Sequence, residues 1–405
     1  MANSAISTSS GFESTKAILS VVIFSFIVYL LVGLPITILP IFTVKTLNYS
    51  PFLAGVIISL QYVATLLTRP KSGQLADKYG AKKVLLWGLT SCSLSGLVTL
   101  VAMMVSSNSP LLSFTLIALG RLFLGVGESF GSTGTLMWGM SLVNSTQTSK
   151  VISWNGAATY LSMALGAPLG IMLNHSFGLY TFTLFTIGLA LLGFIIAFYK
   201  PYIQPVRSIK HRVPFKTVLH RIWPFGTGLA MGTIGFGAIS TFITLYFMEQ
   251  NWSNAAFALS LFSIGFVITR FIFSKAIDKF GGARVAMVAF TVEALGLLII
   301  WFTPYQLYVY LGALFVGCGF SLIFPALGIE SIKKVDANSY GAALGTFTAF
   351  FDLALMLIGP VAGLIITYAG MRNFYGICSL VIFMTAIFLL LLTLKNKKEK
   401  THLIS

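Results

Sequence analysis

The chain has 405 residues, 57% of them hydrophobic and only 9% charged, with a mean hydropathy of +0.91. A soluble domain carries roughly a quarter charged residues, so a water-soluble globule is excluded. Apolar runs of about 20 residues recur from end to end and specify membrane-spanning helices, whose backbones satisfy their own hydrogen bonds in lipid; the alternating segments of a membrane β-barrel are absent from the sequence.

A net charge of +16 would suit nucleic acid, but its placement argues against that partner. Of the 26 Lys and Arg, 21 fall in segments assigned to one side of the spans. Only Lys45 and Arg372 fall on the other, while Arg69, Arg121 and Arg270 lie within helices or at their ends. This is the positive-inside bias, and it puts both termini in the cytoplasm.

In chain order, residues 1–16 are polar and Ser/Thr-rich and read as a cytoplasmic tail rather than a cleavable signal. Six spans follow at about 17–43, 52–70, 83–105, 112–140, 151–173 and 178–199, together a first bundle over 17–199. Gly33, Pro35 and Pro40 interrupt the first of them. Between spans 2 and 3, residues 69–84 read R-P-K-S-G-Q-L-A-D-K-Y-G-A-K-K-V, a tight basic hairpin. Residues 200–222 are a basic linker suited to an anionic leaflet. The second bundle, 223–394, has spans at about 223–248, 255–274, 285–303, 307–330, 340–367 and 374–394, and a basic tail, 395–405, closes the chain.

The two bundles repeat each other. Thr68-Arg69, Asp77-Lys78, Gly80 and Val84 recur 201 residues later as Thr269-Arg270, Asp278-Lys279, Gly281 and Val285. Asn48-Tyr49-Ser50 matches Asn251-Trp252-Ser253, and Gly125, Gly127, Ser129 and Pro168 match Gly317, Gly319, Ser321 and Pro360 at a spacing of 192. Two parallel six-helix repeats are an arrangement that places a substrate site between halves near mid-membrane. The fold expected is therefore an all-α membrane protein of twelve helices in two pseudo-symmetric bundles.

These residues carry a family resemblance. Gly73-x-Leu75-Ala76-Asp77-Lys78-x-Gly80-x-Lys82-Lys83 resembles the loop signature of the major facilitator superfamily. Arg121-x-x-Leu124-Gly125-x-Gly127 is similar to its helix 4 motif, with Leu124 where the family often has a polar residue. Gly156, Gly166, Ala167-Pro168 and Gly170 resemble the helix 5 pattern of antiporters, with Ala167 where Gly is usual. Gly33-Leu34-Pro35 and Pro40 are similar to the helix 1 pattern of twelve-helix drug-efflux members. Through Ile57-Ile58-Ser59-Leu60-Gln61-Tyr62 and Val151-Ile152-Ser153-Trp154-Asn155-Gly156 the chain is most similar to the YhhS-like bacterial efflux permeases. The resemblance implies a multi-pass protein of the bacterial cytoplasmic membrane, working as a monomer without a cofactor.

Four ionisable residues lie inside spans: Arg121, Glu128, Glu293 and Asp352. Such a group costs roughly 3 kcal/mol at that depth, so it needs a partner or a use. Arg121 and Glu128 are seven residues apart, which puts them on one helix face roughly 10 Å apart, with Ser132 and Thr135 continuing the stripe. Asp352 stands where the first repeat has Tyr160, and Glu128 where the second has Phe320. Burial and a nearby Arg act oppositely on a carboxyl, so Glu128 and Asp352 are the proton-coupling candidates, with Arg121 tuning Glu128. The bland alternative is a hydrogen-bond network gluing the bundle. Glu293, on peripheral helix 9, is expected to hydrogen-bond a neighbouring helix, and Glu330 to pair with Lys333 or Lys334.

In the fold the resemblance implies, Asp77 latches the hairpin, with Arg69, Gly73 and Gly80, onto the start of helix 11 near Asn338 or Ser339. Asp278 and Arg270 do the same for helix 5 near Ser145 or Thr146. Otherwise these charges are solvated and only set topology. Tyr29, Gln61, Trp138, Trp154, Asn155, Tyr160, Phe242, Thr244 and Tyr246 are candidate walls of an amphipathic cavity for a small organic molecule, though each is individually compatible with packing. Cys92, Cys318 and Cys378 read as small buried hydrophobes. No metal-ligand cluster, nucleotide-binding loop or nucleophile–base set is apparent, which argues against an enzyme. The leading expectation is proton-antiport export of a small organic solute; the alternative is an importer or facilitator of a sugar, organic acid or siderophore-like compound.

Overall fold

The structure, a computed structural model, describes residues 11–143, 147–201, 215–273, 275–335 and 340–402. Among them there is no strand, and twelve helices are long and apolar enough to cross a membrane. The first span is α1 (Gly11–Gly33), α2 (Pro35–Ile41) and a π-helical turn at Phe42–Thr46. Spans 2–6 are α3 (Pro51–Tyr79), α4 (Ala81–Met104), α5 (Pro110–Ser141), α6 (Thr148–Phe177) and α7 (Thr181–Tyr199). The seventh is α8 (Phe215–Gly237), a π turn at Ala238–Phe242 and α9 (Ile243–Glu249). After α10 (Ala255–Ile272) comes the short α11 (Ala276–Phe280). The remaining spans are α12 (Gly282–Phe302), α13 (Gln306–Ile332), α14 (Tyr340–Ala369) and α15 (Met371–His402).

The basic hairpin is tighter than its sequence suggests. Pro70 does not end the second span: α3 runs on to Tyr79, so Asp77 and Lys78 sit on its last turn. Lys71, Gln74, Leu75 and Ala76 are good helix formers, and the Ser72 hydroxyl donates to Arg69 O at 2.8 Å. The chain then reverses at a single residue, Gly80, whose φ of 90° is a conformation only glycine adopts cheaply. Gly281 does the same at 84°. In that second copy α10 stops at Ile272 and only α11 precedes the glycine.

Backbone geometry repeats with the sequence. Asn48 and Asn251 are both left-handed, at 57° and 56°. Gly178 and Gly370, themselves 192 apart, end α6 and α14 at 91° and 84°.

Spans 3, 6, 9 and 12 carry exposed apolar stripes at helical spacing: Leu94, Leu97, Val101 and Met104 on α4, Leu191, Ile195 and Phe198 on α7, Val288, Leu295 and Phe302 on α12, and Leu380, Phe383, Ile387 and Leu391 on α15. In water such stripes would be a liability; in a bilayer they are the lipid-facing surface.

The chain forms two compact units, Met1–Pro35 with Val63–Ser208, and Ile36–Tyr62 with Ile209–Ser405. In the first, α4 and α5 cross closely enough that a Cβ on Gly88 would stand 2.5 Å from Gly131 N. In the second, the stretch Ile36–Tyr62 packs on α14 and on the seventh span. A Cβ on Gly55 would stand 2.0 Å from Gly359 O, and the Thr37 hydroxyl donates to Ser240 O at 2.7 Å. Ser240 lies in the π turn, where the helical hydrogen-bond ladder is locally displaced.

Candidate functional site

In the first unit the site is built on α5. Ser109 caps the helix by accepting from Leu112 N at 3.4 Å, and Pro110 occupies its first turn. Arg121, Glu128, Ser132 and Thr135 are all buried, Arg121 and Glu128 to within 1%. Glu128 meets a residue that the sequence did not single out: the Thr65 hydroxyl of α3 lies 3.1 Å from Glu128 Oε2 and 3.1 Å from Gly125 O. One hydroxyl has one proton to give. It can therefore serve either acceptor but not both fully at once.

Around this stripe α1 and α6 contribute a second polar contact. The Ser25 hydroxyl donates to Asn155 Oδ1 at 2.6 Å. Trp138 stacks on Phe24 with ring centroids 5.9 Å apart. Tyr29 and Tyr160 are buried, whereas Trp154 is 40% exposed. Gly166 backs onto Gly33, where a Cβ would stand 2.7 Å from Gly33 Cα, so the helix 1 and helix 5 patterns of the resemblance pack on one another.

In the second unit Asp352 is buried on α14, 1% exposed. Its neighbour Phe351 belongs to a phenylalanine cluster: Phe236 lies 6.2 Å from Phe351, 5.1 Å from Phe320 and 5.9 Å from Phe262 between ring centroids. Gln61 and Thr244 are buried here too. Two of the expected wall residues are committed to packing contacts. Phe242 meets Phe374 edge-on at 5.5 Å, and Tyr246 sits 5.4 Å from Tyr375 and 5.7 Å from Trp252.

Of the expected latch, Asp77 lies at the end of α3 and Asp278 in α11. Their expected partners at 336–339 and 144–146 lie outside the described residues. Gly73 has open space around its Cα. Ser72 is hydrogen-bonded to Thr133 at 2.8 Å, which ties the Arg69 turn to α5. Arg270 Nη1 donates to Ser321 O at 2.8 Å. Glu330 pairs with Lys333 at 2.8 Å and also accepts from Gly282 N at 3.1 Å, capping α12.

Glu293 corrects the sequence-based expectation. It is fully buried, yet neither carboxyl oxygen has a hydrogen-bond partner among the described residues. Cys92 and Cys378 are buried and Cys318 half-buried, all three unbridged. Among the described residues no group of three or more His, Cys, Asp or Glu is placed to hold a metal ion.

Lipid-facing stripes, buried ionisable residues and duplicated bundles define a polytopic helical membrane protein. The sequence profile of the Major Facilitator Superfamily matches residues 21–260 and 253–404, and the chain belongs to that family. It is 44% identical over 365 residues to the uncharacterized MFS-type transporter YhhS of Escherichia coli (strain K12), covering 90% of this chain and 89% of that one. To YhhS of Salmonella enteritidis PT4 (strain P125109) it is 43% identical over 389 residues, 96% and 94% of the two chains. Among solved structures, the D-xylose-proton symporter aligns with a TM-score of 0.75 at 16% identity, over 92% of this chain and 97% of that one. The human organic anion transporter MFSD10 (TETRAN) aligns at 0.71 and 16%, over 93% and 99%. The fold is thus that of major facilitator transporters, and the protein is a multi-pass membrane protein.

Proposed function

We propose that this transporter exports a small organic solute across the bacterial cytoplasmic membrane by proton antiport, alternating access between two six-helix bundles, 17–199 and 223–394. Both termini face the cytoplasm, and a single chain suffices. Glu128 and Asp352 carry the protons and Arg121 tunes Glu128. The observation carrying this reading is the Thr65–Glu128–Gly125 contact, whose hydroxyl has an acceptor available in either protonation state of the carboxyl. With such a partner, the carboxyl can gain or lose a proton while the Thr65 hydroxyl keeps an acceptor. The packing of Gly166 on Gly33 supports the antiporter-like pattern. Asp77 with Arg69, Gly73 and Gly80, and Asp278 with Arg270, form the inner latch. Tyr29, Gln61, Trp138, Asn155 and Tyr160 contribute to the solute cavity.

A second reading, proton-coupled uptake, is favoured by the likeness to a D-xylose-proton symporter. Inverted vesicles with an imposed pH gradient separate the two by direction: candidate solutes accumulate inside for export and leave for uptake. In the same assay Glu128→Gln and Asp352→Asn are expected to abolish proton-driven flux while solute exchange at equal pH persists. Full coupling in both variants would remove this mechanism.

A further inference from the structure

The crossing of α12 and α13 holds a carboxyl that this mechanism does not use. Glu293 follows Cys92 by 201 residues, and the two occupy the same place in their repeats. A Cβ on Gly127 would stand 2.5 Å from Cys92 Sγ and 3.0 Å from Cys92 N; one on Gly319 would stand 2.5 Å from Glu293 N and 2.7 Å from Glu293 Cβ. The first repeat fills this seam with a thiol. The second fills it with a side chain long enough to reach beyond it, and α8 makes room: a Cβ on Gly235 would overlap Glu293 Oε1 at 2.1 Å. A longer side chain and a glycine opposite it occur together, which marks a site shaped around the carboxyl.

That carboxyl is sealed on every side. Its residue is 0% exposed, and neither oxygen has a partner among the described residues. From α8, Gly235 backs directly onto the carboxyl, and from α13 Gly319 packs on the Glu293 backbone and Cβ; neither is ionisable, while on α15 the Cys378 thiol lies within electrostatic reach. A carboxylate can only accept hydrogen bonds, and none is offered. An unpaired buried charge is among the costliest features a fold can carry. The carboxylic acid is neutral and brings its own donor. We propose that Glu293 is a proton-binding site: a carboxyl oxygen takes a proton from water, holds it in the conformation described here, and returns it to water when α8 withdraws and the seam opens. The element suited to withdraw is α8, because its helical hydrogen bonding gives way to the π turn at Ala238–Phe242, three residues beyond Gly235. This site is separate from Glu128 and Asp352, and the proposal does not depend on the direction or coupling of transport.

The test is infrared spectroscopy of the full chain purified into liposomes at neutral pH, which reads the C=O stretch of a protonated carboxylic acid directly. The wild type is expected to show such a band, lost in Glu293→Gln, retained in Glu128→Gln and Asp352→Asn, and displaced in Cys378→Ser. Acid bands unchanged by Glu293→Gln would overturn the proposal. Where Glu293→Gln fails to accumulate, Glu128→Gln protein grown on carboxyl-¹³C glutamate replaces it, since Glu293 is then the one fully buried glutamate left among the described residues. An isotope-shifted acid band supports the site, and none sinks it.

Discussion

Thr65 has one hydroxyl proton and two acceptors within reach, Glu128 Oε2 and Gly125 O. Interhelical hydrogen bonds within membranes average about 0.6 kcal/mol and reach about 1.7. Thr65→Val is therefore expected to slow proton-driven flux by roughly threefold, and by no more than about twentyfold, whereas Thr65→Ser leaves it near wild type, both measured in inverted vesicles. Glu128, Arg121 and Asp352 were legible in the sequence because a charge inside an apolar run has few reasons to be there. Thr65 was not, because hydroxyls inside spans mostly bond back to their own helix. Thr43, Thr68 and Thr186 do so here, each to the carbonyl four residues earlier. Glu293 stood out as a charge, but its missing partner was not legible. Gly235, the residue that accommodates it, lies 58 positions away, and only packing selects it.

At the scale of elements, the reversal at Gly80 and Gly281 makes the sharpest prediction. A side chain in that backbone region costs about 1–3 kcal/mol. Gly80→Ala and Gly281→Ala should each lower the melting temperature of purified protein, and the same substitution at Gly73, which sits inside α3 with open space around it, should not. The sequence aligns the two glycines, because the motifs repeat at one spacing, but it places the reversal only somewhere within 69–84. It misjudged what precedes them, since Pro70 reads locally as a stop while α3 continues through it. Helix ends also recruit basic residues. Arg372 donates to Trp301 O at 2.6 Å and Phe302 O at 2.8 Å, closing α12. The guanidinium is exposed, so Arg372→Ala is expected to cost about 1 kcal/mol in thermal unfolding. These two carbonyl contacts make it a structural clasp.

For the whole molecule, twelve spans and their duplication followed from apolar run length and from residues recurring at fixed spacing, and the fold agrees with both. The contacts made by Ile36–Tyr62 did not follow, because sequence order says nothing of which helices a span will touch once folded. That stretch belongs to the second compact unit. There Thr37 takes the Ser240 carbonyl, Gly55 backs on Gly359, and a Cβ on Gly363 would stand 2.4 Å from Phe52 Cα. Severing the polypeptide in the 200–222 linker would therefore not produce two self-sufficient pieces. The carboxy-terminal fragment would leave α14 bare where Phe52 and Gly55 normally cover it, and proteolytic clearance from the membrane is the expected fate. Supplied with the amino-terminal fragment in the same cell, it should survive and co-purify, so that the second half of this transporter is completed by a strip of chain synthesised more than 150 residues before it begins.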